Sequence, residues 1–149
     1  MEQNSSLFVG LDVSKLKISV AIADGERGGE VRFHGDIASD PASVSATVQK
    51  LAKRGATLHF CYEAGPTGYE LYRQLIEMGH NCIVVAPSLI PKRPGDRVKT
   101  NRRDAVSLAK LHRAGELTAV WVPDRGHEAM RDLVRARESA MEAQRVDCR

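Results

Sequence analysis

The stretch Leu7-Phe8-Val9-Gly10-Leu11-Asp12-Val13-Ser14-Lys15-Leu16-Lys17-Ile18-Ser19-Val20-Ala21-Ile22 decides the fold. Its first five residues form an uninterrupted apolar run, the pattern of a strand covered on both faces. Asp12 closes that run. After Val13-Ser14-Lys15 the chain turns. Ile18, Val20 and Ile22 then alternate with Lys17, Ser19 and Ala21, which is the period of a second strand. Gly25 to Gly29 reads as a hairpin turn, and Val31 to Ile37 as a third strand with Val31, Phe33 and Gly35 on one face. The three make an antiparallel meander.

Downstream the pattern changes. Asp40-Pro41 is a helix start, with Asp as N-cap and Pro in the first helical position. Val44, Val48 and Leu51 recur at helical spacing until Gly55. Thr57 to Tyr62 is a strand, closed by Glu63, and Gly65-Pro66-Thr67-Gly68 is a turn. Leu71, Tyr72, Leu75 and Met78 mark the apolar face of a second helix ending at Gly79, and Cys82 to Val85 is a short buried strand. Residues 87 to 100 read as a loop, with a third helix from Asn101 to about Gly115 and a short extended piece at Val120-Trp121-Val122-Pro123. A meander followed by strand–helix units gives an α/β fold: a mixed sheet with helices on its faces. From about Glu128 the chain is helical again. There Asp132, Arg135, Glu138, Glu142 and Arg145 form pairs at i, i+3, and Met130, Leu133, Val134 and Met141 leave a thin apolar stripe suited to a coiled-coil partner. This divides the chain into a domain at 1–123 and a helical start of a further element at 124–149.

Composition narrows the function classes. The 149 residues are enough for one domain, 42% hydrophobic residues suffice for a core, and the net charge of +3 is mild. The distribution of charge is more informative. From Pro91 to Arg113 there are eight Lys or Arg residues, Lys92, Arg93, Arg97, Lys99, Arg102, Arg103, Lys110 and Arg113, against Asp96 and Asp104. That stretch fits phosphate contact, and all eight together would give a salt slope of at most about −7 on DNA. The alternative is a solvated loop that is merely basic. Three cysteines, Cys61, Cys82 and Cys148, have no CxxC spacing and argue against a disulfide framework or a zinc knuckle. A reducing cytoplasm is the expected compartment. Neither a membrane-spanning stretch nor a signal peptide is visible. His34, His59, His80, His112 and His127 lack metal-ligand spacing and read as structural or surface residues. No GxSxG elbow is present, and Gly65-Pro66-Thr67-Gly68 lacks the lysine of a P-loop.

Three acidic positions stand out against this background. Asp12 and Glu63 lie at the ends of apolar strands, where ligands collect in mixed sheets. Asp104 lies in Lys99-Thr100-Asn101-Arg102-Arg103-Asp104-Ala105, at the start of a helix. If the first and fourth strands are neighbours and the helix meets their ends, the carboxylates meet. Clustered carboxylates repel, and a hard cation relieves that repulsion through oxygen ligands. Asn101 shares the helix face with Asp104 and could add an uncharged oxygen, or could instead cap the helix. The structural alternative is simpler: Asp12 caps a turn with Ser14, Glu63 is a solvated strand end, and Asp104 pairs with Arg102 or Arg103.

With these residues in view, the chain resembles the N-terminal part of the DEDD transposases of the "IS one-ten" insertion sequences. The matching pieces are Gly10-Leu11-Asp12-Val13-Ser14-Lys15, Tyr62-Glu63-Ala64-Gly65-Pro66-Thr67-Gly68-Tyr69 and Val98-Lys99-Thr100-Asn101-Arg102-Arg103-Asp104-Ala105. The resemblance runs from about residue 7 to 140, and the three motifs are specific only together. It implies a RuvC-like, RNase H-like domain in which Asp12, Glu63, Asn101 and Asp104 bind Mg2+ (or Mn2+) and act as the catalytic site. It further implies DNA transposition and recombination with DNA as substrate, a guide (bridge) RNA, and a homo-oligomer at full length. Asn101 departs from the family pattern, which has Asp there. The family continues through a coiled coil into a C-terminal domain with a nucleophilic serine, so a truncated copy, incomplete as an enzyme alone, is expected. Lys92, Arg93, Arg97, Lys99, Arg102 and Arg103 are the expected nucleic-acid contacts. Two alternatives stand beside this reading: a non-catalytic nucleic-acid-binding remnant, and an actin-like ATPase fragment, which would need a second half and an adenosine loop.

Overall fold

The computed structural model describes residues 5–26, 28–53, 55–65, 67–91 and 101–123, together with positions 126, 130, 133, 134 and 137. Strands β1 (Ser6–Val13), β2 (Lys17–Asp24) and β3 (Val31–Ala38) are followed by helix α1 (Pro41–Ala52), β4 (Thr57–Glu63), α2 (Glu70–Glu77), β5 (Asn81–Val85) and α3 (Asn101–Arg113). The five strands form one sheet in the order β3-β2-β1-β4-β5. β1, β2 and β3 pair antiparallel, while β4 and β5 run parallel to β1. This is the expected mixed sheet, and it makes β1 the central strand. Ala119, next to the extended piece at 120–123, adds an antiparallel bridge to Val85 at the β5 edge.

Local chemistry explains the element boundaries. Asp40 caps α1, accepting from the Ser43 N–H at 2.9 Å and from the Ser43 hydroxyl at 2.7 Å. Pro41 follows at the helix start. α1 buries Val44, Val48 and Leu51, and α2 buries Leu75, both onto the same sheet face. They meet Val9, Leu11, Ile18, Val20, Ile22, Leu58, Phe60 and Val84 there. Tyr62 joins that core, and its hydroxyl accepts from the Tyr72 N–H at 3.2 Å while donating to the Gly68 carbonyl at 3.3 Å. The turn before α2 is thereby tied to β4.

The opposite face is covered by α3. Gly10 is the key to that contact. A Cβ at this position would collide with the Ala105 carbonyl oxygen, and would lie 2.6 Å from the Ala109 nitrogen and 3.0 Å from the Leu108 Cβ. Only glycine admits a helix backbone this close. Ala21, Ala23, Ala105 and Ala109 complete the small-residue contact, with Phe8, Val31, Phe33 and Val106 packed around it.

The second strand is found as expected, and both of its faces are buried, with Ala21 and Ala23 packed against α3. One strand expectation needs correction. In β3, Val31, Phe33 and Gly35 were expected on one face. A bulge between the Val20 and Ala21 pairings leaves Phe33 opposite Ala21 and Gly35 opposite Val20, so Phe33 and Gly35 lie on different faces. Gly35 absorbs the irregularity with φ of 137°. Consequently Ile37 packs with the α1 and α2 core, not with α3.

Of the expected helical stretch 124–149, positions 126, 130, 133, 134 and 137 are helical, and the remainder lies outside the described residues. Lys92, Arg93, Arg97, Lys99, Cys148 and His127 lie outside them as well. No described helix is long and apolar enough to cross a membrane.

Candidate active site

The site is built from register. Leu11 of β1 pairs with Tyr62 of β4 in a parallel ladder, so Asp12 and Glu63 occupy the next step on adjacent strands. Neighbouring strands are about 4.8 Å apart. Side chains alternate along a strand, which puts Asp12 on the face of Gly10 and Glu63 on the face of Cys61. That face belongs to α3: Gly10 meets the α3 backbone, and the Cys61 thiol donates to the Leu108 carbonyl at 3.6 Å. Both carboxylates therefore lie on the α3 side of the sheet.

The direction of α3 brings the third one to the same end. His112, late in α3, contacts Phe8, early in β1, with ring centroids 5.2 Å apart. Ala105, early in α3, meets Gly10, further along β1. The helix thus runs antiparallel to β1, and its first turn, with Asn101 and Asp104, reaches the level of Asp12. Asp12, Glu63 and Asp104 are all half-buried. Asn101 opens the helix, and its side chain lies outside the described residues.

Among the described residues, no group of three or more His, Cys, Asp or Glu side chains is close enough to hold a metal ion. The carboxylates share one end and one face without closing around a common point. The chemistry of the donor set nonetheless fits a hard divalent cation, since every candidate ligand is an oxygen. The turn beside Asp12 is closed by Ser14, whose N–H and hydroxyl both donate to the Lys17 carbonyl at 2.9 and 2.8 Å.

A polar network that sequence reasoning missed extends this end of the sheet. Ser19 sits directly opposite Asp12 on β2, and Asp36 sits opposite Ser19 on β3. The Ser19 side of the residue is buried, 1% exposed, and its hydroxyl donates to Asp36 at 2.6 Å. That hydrogen bond, with Lys17 3.5 Å away, holds the Asp36 carboxyl below its ordinary range. The available signal was a serine inside an otherwise apolar strand.

The basic residues divide. The Arg102 guanidinium lies over the Phe33 ring at 5.2 Å, toward the meander, and Arg103 is exposed. At the far end of α3, Arg113 donates to the Asp24 and Gly29 carbonyls at 3.2 and 2.9 Å, fastening the helix to the β2–β3 turn. There His112 and His59 flank Phe8, and burial with the neighbouring His59 pushes the His112 imidazole down to about 4. The reading of these histidines as structural fits this packing. Cys61 and Cys82 are buried and free, with the Cys82 thiol pushed up to about 12 by burial.

A sequence model of the IS110-type DEDD transposases, described as transposase, matches residues 9–147. The chain belongs to the DEDD transposase family. Its mixed sheet with a three-strand antiparallel meander and flanking helices is the α/β architecture expected from the sequence. Among its relatives is y4qE of Sinorhizobium fredii (strain NBRC 101917 / NGR234), a protein assigned as a transposase, 62% identical over 139 residues. That match covers 93% of this chain and 36% of the relative. The transposase for insertion sequence element IS1533 of Leptospira borgpetersenii is 37% identical over 134 residues, covering 89% of this chain and 38% of its own length. The chain thus spans little more than a third of these relatives. Among solved structures, it is similar to T. thermophilus RuvC in complex with a Holliday junction substrate, with a TM-score of 0.48 and 11% identity, covering 76% of this chain and 99% of that one. The large terminase nuclease of thermophilic phage G20c gives a TM-score of 0.43 and 14% identity over 76% of this chain and 57% of that one.

Proposed function

We propose that this DEDD transposase chain carries the metal-dependent, DNA-directed site of a transposition and recombination enzyme. Asp12, Glu63 and Asp104 would hold Mg2+ (or Mn2+), with Asn101 as an uncharged oxygen donor. The observation that supports this reading is the close seat of α3 on Gly10, antiparallel to β1, with its first turn directed toward the sheet end that carries Asp12 and Glu63. A bound divalent ion would polarise a DNA phosphate and support an oxygen nucleophile.

The chain's own residues have simpler tasks. Asp12 and Glu63 supply adjacent carboxylates from rigid strands, which keeps the ligand spacing constant. Asp104 approaches from the helix, so its distance is set by the Gly10–Ala105 contact. Arg103 at the helix start, with Lys92, Arg93, Arg97 and Lys99 before it, would neutralise phosphates, and Arg102 would do so from its seat over Phe33. The partners proposed with this site are DNA, a guide RNA, and further copies of the chain through the C-terminal helix, whose described Met130, Leu133 and Val134 are exposed. The cytoplasm is the proposed compartment. Sedimentation of the chain with and without residues 125–149 tests the assembly: the longer form is expected to be the heavier oligomer.

Calorimetric titration with magnesium and manganese, beside Asp12→Asn, tests the site. Binding in the native chain that disappears in the variant is the expected result. Absence of binding in both would overturn the metal site and favour a non-catalytic nucleic-acid-binding domain. A specific observation supports that second reading: the described carboxylates do not form a closed group of three. Salt-dependent DNA affinity without metal-dependent cleavage would identify it.

A further inference from the structure

We propose that the β1–β2 hairpin tip, Lys15-Leu16-Lys17, is a wedge that enters a base step of DNA held at the acidic end of the sheet. This inference rests on the proposed DNA-directed site, and adds to it a residue that unstacks the substrate.

A single exposed leucine ordinarily carries no message. Leu16 differs in four respects. It is 80% exposed, more than any other large apolar side chain among the described residues. Lysines precede and follow it, the charge complement of a phosphate backbone. Its backbone is fastened on every side. The Ser39 hydroxyl donates to the Lys15 carbonyl at 2.8 Å, the Ser39 N–H donates to the Leu16 carbonyl at 3.2 Å, and Ser14 donates twice to the Lys17 carbonyl. At the base of the hairpin, Lys17 and Ser19 both engage Asp36. A tip held this firmly loses little conformational freedom on insertion, which is what an effective wedge requires.

The fourth respect is position. Val13↔Ile18 is the last pair of the hairpin, and Asp12↔Ser19 is the pair before it. Leu16 therefore stands three residues from Ser19, the partner of Asp12, which is about 10 Å beyond that pair along the strand direction. That distance corresponds to about three base steps of about 3.4 Å each. Apolar side chains such as leucine are the ones that proteins insert between base steps, unstacking them and bending the duplex. The displaced base also has somewhere to go. On the α1–α2 side of the sheet end, a groove of about 370 Å3 adjoins the hairpin, lined by Val13, Ser14, Lys15, Leu71 and Gln74, and also by Glu70 and Glu77. Its volume is within the range of small-ligand pockets, and its lining mixes apolar and hydrogen-bonding groups.

The test uses branched DNA carrying 2-aminopurine at successive steps around the branch, whose emission rises when the base leaves the stack. The native chain is expected to raise emission at one or two adjacent steps. Leu16→Ala is expected to bind the same DNA with an unchanged salt slope and no rise in emission. Its affinity should shift by less than about fivefold, because the apolar burial lost is offset by unstacking no longer required. Lys15→Gln should keep the emission and reduce the salt slope by about 1. Leu16 is too exposed for its truncation to disturb folding. Emission from Leu16→Ala equal to the native signal would overturn the wedge, as would native binding without emission at any step, or emission only with an RNA duplex. Native protein that binds no DNA would overturn it too, and the magnesium titration with Asp12→Asn then shows separately whether the acidic site stands.

Discussion

The two faces of the sheet are packed in different ways. On one, α1 and α2 bury Val44, Val48, Leu51 and Leu75 against large aliphatic and aromatic side chains of β1, β2, β4 and β5. On the other, α3 meets Gly10, Ala21 and Ala23 through Ala105 and Ala109, so that backbone nearly touches backbone. Large side chains bury more apolar area and so carry more of the stability. Small ones bury less but leave no slack, and helix position then follows strand position. The molecule thus separates holding the fold together from placing a helix, and Asp104 sits on the helix that is placed.

Substitutions on the two faces should give opposite signatures. Leu75→Ala, in the thick face, is expected to cost about 2–5 kcal/mol of stability in chemical denaturation. Magnesium affinity measured on the folded variant should be unchanged, and a loss of affinity there would blur the division. Gly10→Ala, in the thin face, is expected to cost about 1–3 kcal/mol by overpacking. Its distinctive effect should be on magnesium binding in calorimetry, since α3 must retreat and take Asp104 with it. Equal affinity in Gly10→Ala would show that the close contact does not set the ligand distance.

The thin face also carries a pH dependence. The folded protein keeps His112 neutral down to about 4, against an ordinary value of 6.5. Between these values the unfolded chain binds the extra proton, so stability falls as pH drops from 6.5 towards 4. The imidazole is only partly enclosed, and after solvent screening the loss should be about 1–2 kcal/mol. Denaturation curves across that range should show the slope in the native chain and a flatter profile in His112→Phe. The smallest effect is expected from Arg113→Met, about 1 kcal/mol for two lost hydrogen bonds to carbonyls. Hydrogen exchange should locate that loss at the end of α3 and the β2–β3 turn.

Much of the fold was legible because it rests on local periodicity. The apolar run of β1, the alternation in β2, and the Asp40-Pro41 start of α1 each announce themselves within a few residues. The adjacency of Asp12 and Glu63 followed once β1 and β4 were taken as parallel neighbours. What could not be read was the covering of Ala21 and Ala23, because the helix responsible lies about ninety residues further on. The β3 bulge was hidden for another reason: a glycine at Gly35 fits regular strand and bulge alike until the pairing is known. The direction of α3, which decides where Asp104 falls, depends on Gly10 accepting a helix backbone. Sequence marks that glycine only as one more small residue in an apolar run.

The contact between Gly10 and Ala105 also orders events in time. β1 can pair with β2 as soon as the hairpin is made, and with β4 after one crossover, whereas α3 closes a loop of some ninety-five residues. Contacts of such long separation form late, because the entropy of closure must be met first. During synthesis, 41 residues separate Glu63 from Asp104, which at about 5–20 residues per second is a delay of roughly two to eight seconds. A nascent chain therefore contains Asp12 and Glu63 for seconds before Asp104 is added, and the helix that bears it is the last of the three pieces to arrive.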